Sequence, residues 1–262
     1  LQEGGMLATA KHFPGHGDTE TDSHSSLAMI PSDSLRLWET ELKPFKAMID
    51  HNVDAIMVAH IHAPDYQKDS DRPASMSSFW IEDILKSRMN FKGTVVTDAM
   101  EMGGIVKNYS DDFALIETIK AGANVIIQNH NFKRSIDVVE QAVVNGEIPI
   151  EIVNKSALKM LKMKQKIGLD QNRYVDINNM QKTLGKNSHK KIAQKVASEA
   201  VTCVKNKGNL IPFNIDEKDS LYVIDLYDSK NNHSISSVSK RLKKNGLKVK
   251  FYQYDDSDSK RY

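Results

Sequence analysis

The densest chemistry in this chain lies in residues 11–31, KHFPGHGDTETDSHSSLAMIP. Three histidines, His12, His16 and His24, share it with the acids Asp18 and Asp22. Asp22 and His24 stand two apart. In a loop, that spacing lets the carboxylate take the proton of one imidazole nitrogen and aim the other nitrogen at a substrate. An imidazole with a pKa of about 6.5 both gives and takes protons at neutral pH. Taken alone, an Asp-x-His also fits a plain solvated loop. Gly15 and Gly17 give the backbone freedom to turn sharply.

A second candidate is Asp98, at the end of the apolar run in VVTDAMEM. A carboxylate there is either a helix cap or a catalytic group. Lys11 and His12 also follow an apolar run. So does His60, with His62 two further on, and packing behind a site is the favoured reading for that pair. The number of histidines raises the question of a metal. His12 and His16 have the His-x-x-x-His spacing of a zinc-binding helix. Pro14, Gly15 and Gly17 argue against a helix there, so neither a metal nor a cofactor is expected.

These residues need strands to carry them. Apolar, β-rich runs recur at residues 6–10, 55–59, 94–97 and 124–127, as buried parallel strands require. Helical patterns lie between them. Leu35, Trp38, Leu42, Phe45 and Ile49 recur at three-to-four spacing, with Pro44 marking a kink or a late start. Ser78 and Ser110 are expected N-caps. Residues 132–144 and 150–167 read as two more helices. Strand–helix alternation of this kind means βαβ units and an α/β fold. Residues 170–188 are polar and read as a linker. A helix over 189–204 and strands near 221–226 and 249–252 then begin a second α/β domain.

Composition excludes several classes. Of the 262 residues, 40% are hydrophobic and 27% charged, ordinary globular usage. The single cysteine, Cys203, excludes an intrachain disulfide framework. No apolar stretch approaches the roughly 20 residues of a membrane-spanning helix. The net charge of +2 hides a split between −9 over residues 1–150 and +11 over 151–262. The lysines of the second half fall at helical spacing, as on a solvated face. Aromatics are not interleaved with them as single-strand nucleic-acid binding would want, so no nucleic-acid partner is expected. The chain opens on Leu1 directly into a motif-rich stretch and is read as a fragment. Its compartment is therefore left open between cytoplasm and cell envelope.

KHFPGHGDTETDSHSSLAMI resembles the signature loop of glycoside hydrolase family 3, in its β-N-acetylglucosaminidase branch. VVTDAMEMGGI resembles the family's nucleophile strand, and AIMVAHIHAP the strand before it. KNKGNLIPF is similar to the opening of the second domain that many members carry. Ala28 and His62 are departures, and neither falls on a catalytic position. The resemblance implies that residues 1–168 are the second half of a (β/α)8 barrel, strands five to eight. Residues 169–188 would be the linker and 189–262 a truncated second α/β domain.

The resemblance also implies roles. Asp98 would be the nucleophile, His24 the general acid/base and Asp22 its orienting partner. Lys11 and His12 would hydrogen-bond the sugar in the −1 subsite. The activity implied is that of a retaining exo-β-N-acetylglucosaminidase acting on a small carbohydrate such as a muropeptide or chitooligosaccharide. The loop carrying His24 is expected to close over bound sugar. Two alternatives stand beside this reading. One is a phosphorylase, because a neutral imidazole does not repel an incoming phosphate as a carboxylate would. The other is an inactive truncated fragment, since half a barrel leaves open sheet edges.

Overall fold

A computed structural model describes residues 1–19, 26–31, 34–67, 71–127, 129–209, 211–212, 220–227 and 236–255. The chain divides into two compact units, Leu1–Met180 and Gln181–Tyr262.

The first unit is built on four parallel strands: β1 (Thr9–Phe13), β3 (Ala55–Val58), β5 (Thr94–Ala99) and β6 (Val125–Ile127). Their spatial order is β1-β3-β5-β6. Two short strands, β2 (Ala28–Met29) and β4 (Ile61–His62), form a separate parallel pair. Helices cross between successive strands of the main sheet. The first crossover runs through α1 (Ser34–Arg36), a π turn (Leu37–Glu41) and α2 (Leu42–Asp50). A π helix (Phe79–Arg88), then α3 (Gly103–Val106) and α4 (Asp111–Lys120), make the next two. After β6 come α5 (Phe132–Val144) and α6 (Ile150–Lys166). This is an α/β fold, as the alternation of runs predicts.

One face of the sheet is buried under the helices. Phe13, Ile56, Val58 and Val95 meet Leu42, Phe45, Trp80, Ile81, Ile84 and Leu85 there. Phe13 packs edge-on against both Phe45 (5.3 Å) and Trp80 (6.0 Å), the geometry that aromatic quadrupoles prefer. Each of these large side chains contributes about 1.5–3 kcal/mol by leaving water. The other face is less covered. Alternation along β5 puts Val96 and Asp98 on that side, both half-buried, while Val95, Thr97 and Ala99 are buried.

The strands differ from expectation in detail. β1 begins three residues later than the apolar run 6–10, so Lys11 and His12 lie inside it rather than after it. The cause is the partner strand, since Thr9 and Ala10 pair with Ala55 and Ile56. Met6 is 61% exposed. Two expected caps also differ. Ser78 already has helical backbone angles and makes no capping hydrogen bond. Ser110 has the extended backbone of an N-cap, but its side chain does not bond the helix. Asn131 does cap, accepting from the Arg134 N–H at 3.1 Å. Pro44 sits just past the π turn, where the Leu42 N–H bonds the Leu37 carbonyl five residues back.

Residues 170–188 are not wholly irregular, for they contain the whole of α7 (Ile177–Thr183). The second unit continues with α8 (Asn187–Glu199), which ends short of the expected 204. It then holds β7 (Ser220–Tyr227), α9 (Ser236–Lys244) and β8 (Lys248–Asp255). β7 and β8 pair in parallel over their full length, so the segment is one βαβ unit. Tyr222 and Tyr252 stack at 6.3 Å, and Lys250 lies 5.1 Å over the Tyr222 ring. Among the described residues, no helix is long and apolar enough to cross a membrane.

Candidate active site

The C-terminal ends of β1, β3 and β5 bring three of the expected residues together. His12 comes from β1, His60 follows β3, and Asp98 is the penultimate residue of β5. In parallel α/β sheets this end is where sites form. His12 Nε2 lies 3.7 Å from Asp98 Oδ2. Both side chains keep a minority of their surface open, 29% and 15%, so a ligand can reach them. Lys11 is exposed beside them in β1.

Local irregularity aims these side chains. The β1–β3 register shifts between Ala10 and Phe13, and the β5–β6 register shifts between Val96 and Ala99. Lys11 and His12 fall in the first shift and Asp98 in the second. Such breaks in a ladder re-aim side chains, and they cluster near active sites. The Lys11–His12 and Phe13–Pro14 peptide bonds are cis.

The loop after β1 is fixed by its own contacts as far as it is described. Gly15 has φ of +136°, and a Cβ there would lie 2.7 Å from the Glu41 Cβ. Only glycine lets the loop lie this close to the helix. His16 Nδ1 is 2.6 Å from the Thr19 hydroxyl, and its ring meets that of His12 edge-on at 6.2 Å. Asp18 pairs with Arg36 at 2.7 Å. Arg36 also approaches Glu41, whose carboxylate is buried. Asp22 and His24 lie outside the described residues.

His60 is fully buried. Its Nδ1 lies 2.7 Å from the Ser75 hydroxyl, and its Nε2 lies 2.9 Å from the Ala99 carbonyl oxygen. Burial pushes its pKa below the ordinary value, while the Ala99 carbonyl and the Asp98 charge pull weakly the other way. His62 is also buried, and its carbonyl accepts from the Ile30 N–H at 2.9 Å. Ser75 was not legible as part of this end of the sheet, because its contact with His60 spans 15 residues.

Two other polar clusters lie elsewhere. At the opposite end of the sheet, Asp54 accepts from the Ala8 N–H at 2.9 Å and pairs with Lys166. Burial raises its pKa, but these partners outweigh burial and hold the carboxyl below its ordinary value. Glu117 on α4 pairs with Arg72 and Lys120. Burial raises this carboxyl too, and the two cations again carry it below the ordinary value. An apolar cleft of about 550 Å³ lies between β6 and helices α4, α5 and α6, lined by Leu115, Ile126, Phe132, Ile136, Val139 and Val153. Neither His12 nor Asp98 lines it. Among the described residues, no group of three or more histidine, cysteine or acidic side chains is placed to hold a metal ion.

The Glycosyl hydrolase family 3 N terminal domain matches residues 1–163. Beta-hexosaminidase A of Pseudoalteromonas piscicida is 30% identical over 229 residues, covering 80% of this chain and 38% of the relative. The structure of a glycoside hydrolase family 3 beta-N-acetylglucosaminidase from Paenibacillus sp. str. FPU-7 superposes with a TM-score of 0.82 at 29% identity, over 97% of this chain and 49% of that one. A beta-glucoside phosphorylase shares the fold, with a TM-score of 0.86 at 24% identity over 96% of this chain and 47% of that one. The chain thus spans half the length of these proteins or less. It belongs to glycosyl hydrolase family 3, whose N-terminal domain accounts for residues 1–163.

Proposed function

We propose that this chain contributes the catalytic nucleophile and acid/base of a retaining exo-β-N-acetylglucosaminidase. The observation that carries the reading is the approach of His12 to Asp98 at the C-terminal edge of the sheet. In the first step the Asp98 carboxylate attacks the anomeric carbon. His24, held by Asp22, gives its proton to the glycosidic oxygen, which leaves with the bond's electron pair. In the second step neutral His24 takes a proton from water, and the resulting oxygen nucleophile displaces Asp98 from the sugar. Two inversions give net retention. Lys11 and His12 hold sugar hydroxyls beside the reacting carbon. The substrate is a small carbohydrate ending in β-linked N-acetylglucosamine, in keeping with the hexosaminidase names of the relatives.

In this reading the four-stranded sheet is strands five to eight of a (β/α)8 barrel, residues 1–168. Residues 169–188 link it to a second α/β domain from 189 onward. Two features support the half-barrel. β1 and β6 stand at the sheet's edges with no further strand beside them among the described residues. The apolar cleft against β6 also leaves Phe132 and Ile136 largely exposed, as a face awaiting further barrel elements would.

The test is hydrolysis of an aryl β-N-acetylglucosaminide by the full-length gene product and by its Asp98→Ala variant. Release of the aryl group with retained anomeric configuration, lost in the variant, supports the reading. A second reading, phosphorolysis, follows from the imidazole in the acid/base position, which leaves no anion to repel phosphate. Formation of a sugar 1-phosphate in phosphate buffer would favour it, and free sugar alone would remove it.

A further inference from the structure

The β3–β5 ladder stops one residue short of Asp98. Its pairs run from Ala55↔Thr94 to Val58↔Thr97. On the other side, the β5–β6 register slips between Val96 and Ala99. The backbone that carries Asp98 is therefore outside regular pairing on both sides. A residue in that position needs other anchors if its carboxylate is to point in one direction.

His60 supplies one. It lies two residues past the end of β3 and continues the ladder with its side chain in place of its backbone. The Ala99 carbonyl can only accept, so the proton on Nε2 points at it across 2.9 Å. Nδ1 is then a lone pair and accepts from the Ser75 hydroxyl at 2.7 Å. Ser75 is itself tied to the same strand end, its N–H donating to the Ala59 carbonyl at 3.2 Å. Burial favours the neutral imidazole, the form in which Nε2 donates to Ala99 while Nδ1 accepts from Ser75.

The anchor reaches the carboxylate through one residue. With its carbonyl held by His60, Ala99 directs its own N–H at Asp98 Oδ1, 2.9 Å away. Asp98 Oδ2 is left toward His12. We propose that His60, oriented by Ser75, is a positioning residue that fixes Ala99 and through it sets which carboxylate oxygen of Asp98 faces the sugar. This rests on the reading of Asp98 as nucleophile. His60 does not touch substrate and transfers no proton.

The geometry of the amide side chains provides the test. In His60→Gln the terminal amide nitrogen takes the place of Nε2 and still donates to Ala99. In His60→Asn the shorter amide reaches only the Ser75 side. Kinetics of the full-length protein on an aryl β-N-acetylglucosaminide should show kcat lowered about 10–100-fold in His60→Asn, with KM within about threefold of the parent. His60→Gln should recover most of that loss. Ser75→Ala, which frees the ring, should lower kcat by about 3–10-fold with KM unchanged. It reports on the proposal even if His60→Asn does not fold. Equal kcat losses in His60→Asn and His60→Gln would overturn the proposal, as would a loss confined to KM or an unchanged kcat in Ser75→Ala. Asp98→Asn separates the two levels. If it retains activity, the nucleophile reading fails. If it is inactive while His60→Asn and Ser75→Ala match the parent, only the positioning role fails.

Discussion

His12 Nε2 stands 3.7 Å from Asp98 Oδ2, although β3 separates the strands that carry them. The distance is too long for a direct hydrogen bond, and it places the two polar groups side by side at one end of the sheet. Two side chains from non-adjacent strands therefore lean over the same strand end. On the proposed reading, one attacks the sugar and the other steadies it.

That arrangement divides the effects of mutation. Asp98→Ala and His24→Ala should each lower kcat/KM on an aryl β-N-acetylglucosaminide by about 10²-fold or more. Asp22→Ala should cost less, because Asp22 orients the imidazole without transferring a proton. Lys11→Ala and His12→Ala should raise KM as well as lower kcat, since they hold the sugar. Steady-state kinetics on the purified full-length protein check all five.

Gly15 is a separate point of sensitivity. Gly15→Ala puts a methyl group against Glu41 at a φ of +136°. A cost of about 1–3 kcal/mol in stability is expected from overpacking and the disfavoured backbone. Urea unfolding with an unchanged m-value would measure it.

Trp80 is buried at the centre of the helix–sheet contact, and its indole N–H has no hydrogen-bond partner among the described residues. Trp80→Ala should cost about 3–5 kcal/mol. Trp80→Phe should cost less than about 1.5 kcal/mol, because the change in shape is modest and no hydrogen bond is lost. Equal costs in the two variants would contradict this account of the core.

Asp54 links stability to acid. Its carboxyl sits below its ordinary value in the folded chain. The stabilisation is therefore fully present above the unfolded value of about 3.9 and is lost as pH falls through the lower native value. Asp54→Asn should lower stability at neutral pH and flatten the decline in acid. Thermal unfolding followed from pH 7 to pH 3 tests the sign.

Much of this was legible in the sequence for a physical reason. Buried parallel strands need continuous apolar runs, and three of the four runs coincide closely with β3, β5 and β6. β1 was misplaced because pairing with Ala55 and Ile56 sets its start, and a partner strand leaves no local mark. Ser110 does take the extended N-cap backbone, but residue type does not force the rotamer that would bond the helix, and at Ser78 the backbone is already helical. The motif loop pointed to Lys11 and His12, and the run VVTDAMEM to Asp98. Their convergence, and the Ser75–His60–Ala99 chain over separations of 15 and 39 residues, depend on strand order. Asp22 and His24 are known from sequence alone.

The most direct test of Asp98 as nucleophile is covalent capture. A 5-fluoro N-acetylglucosaminyl fluoride forms the glycosyl-enzyme quickly and releases it slowly, so the adduct accumulates. Peptide mass spectrometry of the inactivated full-length protein should place one sugar on the Asp98 carboxylate. A sugar on any other residue, or continued turnover with no adduct, would contradict the account.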